Sequence, residues 1–80
     1  MNKSEAREVA KIEAIMRAFD ALPFIDHDRD RADLLAIAAR SLATLVRSTR
    51  TIKARAELLE LADKYCLRGH HEFVITRWAD

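Results

Sequence analysis

The 80-residue chain contains one cysteine, one glycine and one proline. A lone cysteine, Cys66, excludes a disulfide within the chain and leaves too few thiolates for a structural zinc cage. A lone glycine, Gly69, excludes the glycine-rich loops that cradle phosphates. A lone proline, Pro23, leaves the residues between it and Gly69 without a strong backbone breaker. Aromatic residues make up only 6% of the chain, and the net charge is only +1, so bulk charge names no partner. Long hydrophobic runs are missing too. The most apolar stretch, 34–46, is interrupted by Arg40 and falls short of the roughly 20 apolar residues a membrane span requires. The N-terminal stretch MNKSEAREVAKIEAIM mixes acids and bases from the start, unlike a secretion signal. A reduced, cytoplasmic protein without a membrane partner is therefore expected.

What is present is half apolar, with alanine and leucine dominating, and both favour helix. One small helical domain spanning 1–80 is expected. A chain of this size buries only about 60% of its unfolded surface, so self-association is the expected aid to stability.

A first helix is predicted over about 4–22. Val9, Ile12, Ile15, Met16, Phe19 and Leu22 recur at three- and four-residue steps and share one face. Glu13 and Arg17 are spaced for a surface ion pair, Asn2 with Glu5, or Ser4, can cap the start, and Pro23 ends the helix. A second helix is predicted over about 30–47, capped by Asp30 and apolar on most sides except a stripe marked by Arg40 and Arg47. Such a helix is central, with several neighbours. Leu35, Ala38, Leu42, Leu45, Thr49, Ile52, Ala56 and Leu59 also fit a heptad that would make 30–68 one rod. However, the apolar face before Arg47 and the one after Thr51 differ by roughly 140° on a helical wheel. Ser48, Thr49 and Thr51 are weak helix formers and good caps. A turn near 48–50 and a third helix over 51–68 follow.

After Gly69, the β-branched and aromatic residues Phe73, Val74, Ile75 and Thr76 suit a strand in the tail 70–80, which needs a partner for its backbone. The alternative is a turn that packs Phe73 and Trp78 on the bundle. The expected fold class is thus all-α or mostly α, a three-helix bundle or helical hairpin with a short strand-like C-terminal tail.

No constellation carries catalysis. Ser41, Ser48, Cys66 and the histidines lack the spacing of a nucleophile with its base and orienting group. Asp26, Asp28 and Asp30 alternate as in a calcium loop, but Arg31 stands where the glycine belongs and Ile37 where the bidentate glutamate belongs. Cys66 falls on the apolar face of the third helix as a small hydrophobe, so Cys66, His70, His71 and His27 are not read as a metal site. No catalytic residue, metal or cofactor is expected.

Charge is segregated. Residues 23–33 hold four acids (Asp26, Asp28, Asp30, Asp33) against two arginines, whereas 34–56 hold five cations (Arg40, Arg47, Arg50, Lys53, Arg55) and no acid. The solvated reading pairs the basic stretch with the acidic corner, within or between subunits. The expected function is a non-enzymatic protein–protein interaction module, acting as a homodimer or higher oligomer and as a regulator, adaptor or inhibitor. It would meet its partner through Phe73, Val74, Ile75 and Trp78, since aromatic residues anchor interfaces. The alternative is a small nucleic-acid-binding regulator using Arg40, Arg47, Arg50, Lys53 and Arg55, with DNA as one target. Such small Ala/Arg-rich helical proteins also suit mobile elements. The reason for self-association is that the second helix carries more apolar surface than one neighbour covers.

Overall fold

A computed structural model describes residues 1–23 and 28–79. Four helices follow in order: α1 (Lys3–Ala21), α2 (Asp28–Ser48), α3 (Ile52–Lys64) and α4 (His71–Trp78). The architecture is all-α among the described residues. α2 packs against each of the other three helices, whose backbones approach α2 and not one another.

α1 begins with a reciprocal cap. The Asn2 side chain accepts from Glu5 N–H at 2.8 Å, and the Glu5 carboxylate accepts from Asn2 N–H at 3.1 Å. Its exposed ion pair joins Glu8 to Lys11 at 3.0 Å rather than Glu13 to Arg17. The helix stops at Leu22, which is extended (φ −79°, ψ 131°) because the following Pro23 disfavours helical geometry there. Arg31 of α2 then completes the end of α1. Its Nη1 donates to the carbonyls of Phe19 at 2.7 Å and Leu22 at 2.8 Å, and the guanidinium lies 3.9 Å from the centre of the Phe19 ring. Orphan carbonyls and the negative end of the helix dipole thus meet a cation from the next helix.

α2 starts two residues earlier than expected, with Asp28 and Asp30 both in its first turn; Asp26 and His27 lie outside the described residues. Ala38, Ala39, Leu42, Ala43, Leu45 and Val46 are buried, and the small alanines let neighbouring helices come close. Ile12 and Met16 from α1, Leu58 and Ala62 from α3, Leu67, and Phe73 from α4 complete the core. Full burial of each large side chain contributes roughly 1.5–3 kcal/mol. The neighbours of α2 are therefore supplied by its own chain. Ile37 of α2 nevertheless stays 46% exposed, so part of the apolar surface of α2 is left uncovered by its own chain.

The rod over 30–68 is interrupted. α2 ends at Ser48, and Thr51 caps α3 by accepting from Ala54 N–H at 3.1 Å. α3 ends at Lys64, short of Arg68, and the closing residue is not Gly69. Cys66 takes the left-handed conformation (φ 57°). Leu67 N–H reaches back to Ala62 C=O at 2.8 Å, and Cys66 N–H to Asp63 C=O at 3.2 Å. This is the Schellman pattern, with cysteine where glycine is usual and Leu67 and Ala62 buried beside it. Cys66 is consequently exposed beyond the helix, not a hydrophobe on its apolar face.

The tail is a helix, so the strand-like tail is corrected. Strand propensity is weak and context-dependent, whereas an unpaired strand leaves its backbone unsatisfied. Here His70 caps α4 by accepting at Nδ1 from Glu72 N–H at 3.1 Å. Phe73 is buried in the core, and Glu72 reaches Arg40 of α2 at 3.5 Å. No helix among the described residues is long and apolar enough to cross a membrane.

Candidate functional site

Once Phe73 fixes the inner face of α4, the 100° step of a helix decides where its neighbours go. Val74, Ile75 and Trp78 project outward and are exposed, Trp78 at 72%. Of the four residues expected to meet a partner, three therefore share an outer face. Phe73, at 1% exposure, belongs to the core and is unavailable.

The inner edge of the same helix carries Arg77. It borders a cleft of about 270 Å³ lined by Val46 and Arg47 of α2, Arg55 of α3, and Arg77 and Trp78 of α4. Three arginines from three helices thus border one cleft, and among the described residues no Asp or Glu lines it. The Arg77 guanidinium sits 5.1 Å from the centre of the Trp78 ring. That contact engages the indole weakly, as expected of an exposed cation–π pair. Among the described residues, Arg47, Arg55 and Arg77 form no ion pair.

The basic stretch is divided by the fold. Arg47 and Arg55 meet in the cleft across the α2–α3 turn. Arg40 is tied to Glu72 and joins α2 to α4. Lys53 is exposed, and Arg50 borders a different pocket. The acidic corner does not neutralise the cleft. Asp28, Asp30 and Asp33 lie at the opposite end of α2, roughly 20–30 Å away at 1.5 Å per residue. Pairing of the two charge clusters within one chain is therefore excluded for these residues. Asp63, which would repel an anion, is held by Arg68 at 3.2 Å. Arg77 was absent from the sequence-predicted set. Its signal was legible only as helical adjacency to Trp78, which a strand assignment conceals by placing the two on opposite faces.

A second pocket, about 370 Å³, lies between the start of α1 and the α2–α3 turn. Met1, Asn2, Ser4, Glu5, Thr49 and Arg50 are among its lining residues. Its polar groups serve the caps: Asn2 and Glu5 cap α1, and Thr51 caps α3. Glu5 Oε2 and Thr49 Oγ1 are both buried without a hydrogen bond of standard geometry. The Thr49 hydroxyl nevertheless holds the Glu5 carboxyl below its ordinary pKa, assisted by the Asn2 backbone N–H. This pocket locks the start of α1 to the turn after α2.

A third cleft, about 270 Å³, is lined by Phe19, Asp28, Arg31, Ala32 and Leu35, and Arg31 is already committed to the end of α1. His70 and His71 stack at 4.6 Å, with His70 engaged in its cap. Among the described residues, no group of three His, Cys, Asp or Glu side chains is arranged to hold a metal ion. The arginine cleft and the outer face of α4 therefore form the strongest candidate site. Comparison with protein-family models, curated proteins and solved structures finds no match to this chain.

Proposed function

We propose that this protein is a non-enzymatic binding module that docks a negatively charged partner on the arginine cleft and the adjoining outer face of α4. The observation that carries this reading is that Arg47, Arg55 and Arg77 border one cleft beside exposed Trp78, with no Asp or Glu among its described lining residues. Arginine presents a planar fork of donors suited to carboxylate and phosphate oxygens. Tryptophan and arginine are also among the residue types enriched where binding energy concentrates. Like charges that border one cleft repel one another, and an anionic partner relieves that repulsion. The cleft supplies a surface and no paired nucleophile and base, so the module acts by occupancy, as a regulator, adaptor or inhibitor does.

The test compares two charge-reversed variants of equal net charge on an immobilised polyanion such as heparin. Arg55→Glu with Arg77→Glu alters the cleft, and Arg7→Glu with Arg17→Glu alters exposed positions on α1. The expected result is that the cleft variant elutes at clearly lower salt than the α1 variant. Equal elution of the two overturns the reading.

A second reading is favoured by a separate observation. Val74, Ile75 and Trp78 form an apolar face at the end of α4, and Ile52 at the start of α3 is 90% exposed. A second copy of the chain, turned so that its acidic α2 start meets the arginine cleft, would cover both features in a self-complementary pair. The mass of the native particle tests this directly, and a strict monomer at high micromolar concentration removes it.

A further inference from the structure

We infer that the anionic partner is a single-stranded nucleic acid, with an unpaired base stacked on Trp78 and backbone phosphates held by Arg47, Arg55 and Arg77. The inference rests on the anion-binding reading above and narrows it to one chemistry. Three features favour this occupant over an acidic protein surface.

The first is the kind of cation. All three groups lining the cleft are guanidiniums, whose fork matches phosphate oxygens in a bidentate fashion. The second is the aromatic group. Trp78 is 72% exposed, and Arg77 contacts its ring at 5.1 Å, so the indole is braced from one side while most of its surface faces solvent. Nucleic-acid bases stack on such a platform regardless of sequence. The third is the state of the partner's bases. A base inside a duplex is already stacked and cannot use the platform, which makes the unpaired strand the better fit.

Magnitudes follow from the count of arginines. Three phosphates neutralised on a single strand give a slope of about −2 for log affinity against log salt, at about −0.7 per phosphate. Removing one arginine should reduce that slope by about 0.7. Loss of one stacked base should weaken binding about tenfold.

Trp78 is the only tryptophan, so its fluorescence reports from the site itself. The full chain is titrated at low salt with a 15-nucleotide oligothymidylate, an abasic oligomer of equal length, and polyglutamate of equal charge. The oligothymidylate should quench Trp78 and bind about tenfold tighter than the abasic oligomer, with a salt slope near −2. In parallel, a labelled oligothymidylate measures Trp78→Ala and Arg47→Gln by anisotropy. Trp78→Ala should erase the preference over the abasic oligomer, and Arg47→Gln should flatten the slope. Both positions are surface-accessible, and the helical circular dichroism of each variant verifies its fold. Equal binding of the base-bearing and abasic oligomers, or polyglutamate binding as tightly as oligothymidylate, overturns the nucleic-acid inference while the anionic-partner reading stands. Absence of binding by all three polyanions overturns both.

Discussion

Replacing Arg31 with alanine should destabilise the fold by about 2 kcal/mol, although arginine on a small helical protein is usually a dispensable surface residue. Nη1 donates to two carbonyls at the end of α1, at 2.7 and 2.8 Å. Hydrogen bonds involving a charged group contribute about 1.5–3 kcal/mol each, but both share one nitrogen and the site is only half-buried, so about 1.5–2 kcal/mol is reasonable for the pair. The cation over Phe19, 3.9 Å from the ring centre, adds about 0.5–1 kcal/mol. Partial rehydration of the freed carbonyls offsets some of this. In a domain of this size, each kcal/mol moves the midpoint of thermal unfolding by about 4–8 °C, so a fall of about 8–16 °C is expected. Arg17→Ala, at an exposed position on α1, is the control and should stay within about 0.5 kcal/mol of the parent. Arg31→Lys should fall between, since a lysine keeps the charge and loses the fork. Thermal denaturation followed by circular dichroism reads all three. Equal midpoints for Arg31→Ala and Arg17→Ala would refute the capping role and the way α2 is said to be fastened to α1.

The helix stop yields a paired prediction. Cys66→Gly should raise stability by up to about 1 kcal/mol, because a left-handed residue other than glycine carries roughly 1–2 kcal/mol of strain, part of which the freer unfolded chain cancels. Gly69→Ala should also stabilise, by about 0.4–1 kcal/mol, since Gly69 has no positive φ and an added Cβ meets nothing within 4 Å. Chemical denaturation of both variants checks the pair, and a destabilised Gly69→Ala would contradict the geometry. The Glu5 carboxyl is held below its ordinary pKa chiefly by the Thr49 hydroxyl and then by the Asn2 N–H. A depressed folded-state value means this contribution is present above the unfolded pKa of about 4.3 and is lost as pH falls through the folded value. Glu5→Gln should therefore be less stable than the parent at neutral pH, and the difference should shrink on acidification below about pH 4. A gap that stays constant with pH would remove Glu5 from the account.

Much of the helical scaffold was legible in residue spacing. Ile12 and Met16 lie at the centre of the predicted α1 face and are buried, and the Asn2–Glu5 cap forms as their three-residue spacing suggests. The break between α2 and α3 followed from the rotation of the apolar face across Arg47 and from the threonines there, a signal that the heptad pattern alone misses. The tail was misread because Phe73, Val74, Ile75 and Thr76 carry local strand propensity, while the burial of Phe73 against α2 is a tertiary fact. Gly69 was misread as the helix stop because glycine is the usual left-handed residue, whereas the chain places Cys66 there. The same tail error hid half of the candidate site. Arg47 and Arg55 are visible as a basic stretch, but only a helical α4 brings Arg77 and Trp78 to them. Three helices of the same chain pack on α2, which spacing alone does not reveal, and Ile37 still stays exposed.

In the proposed function, Arg47, Arg55 and Arg77 act together with Trp78 as one anion-binding surface. Nitrogen-15 spectra of the full chain, recorded while inorganic polyphosphate is added, test it most directly because the chain has a single indole N–H. The Trp78 indole signal and the Nε–H signals of those three arginines should shift together and saturate, while Arg7 and Arg17 hardly move. Uniform small shifts across all arginines, with the indole unmoved, would contradict it.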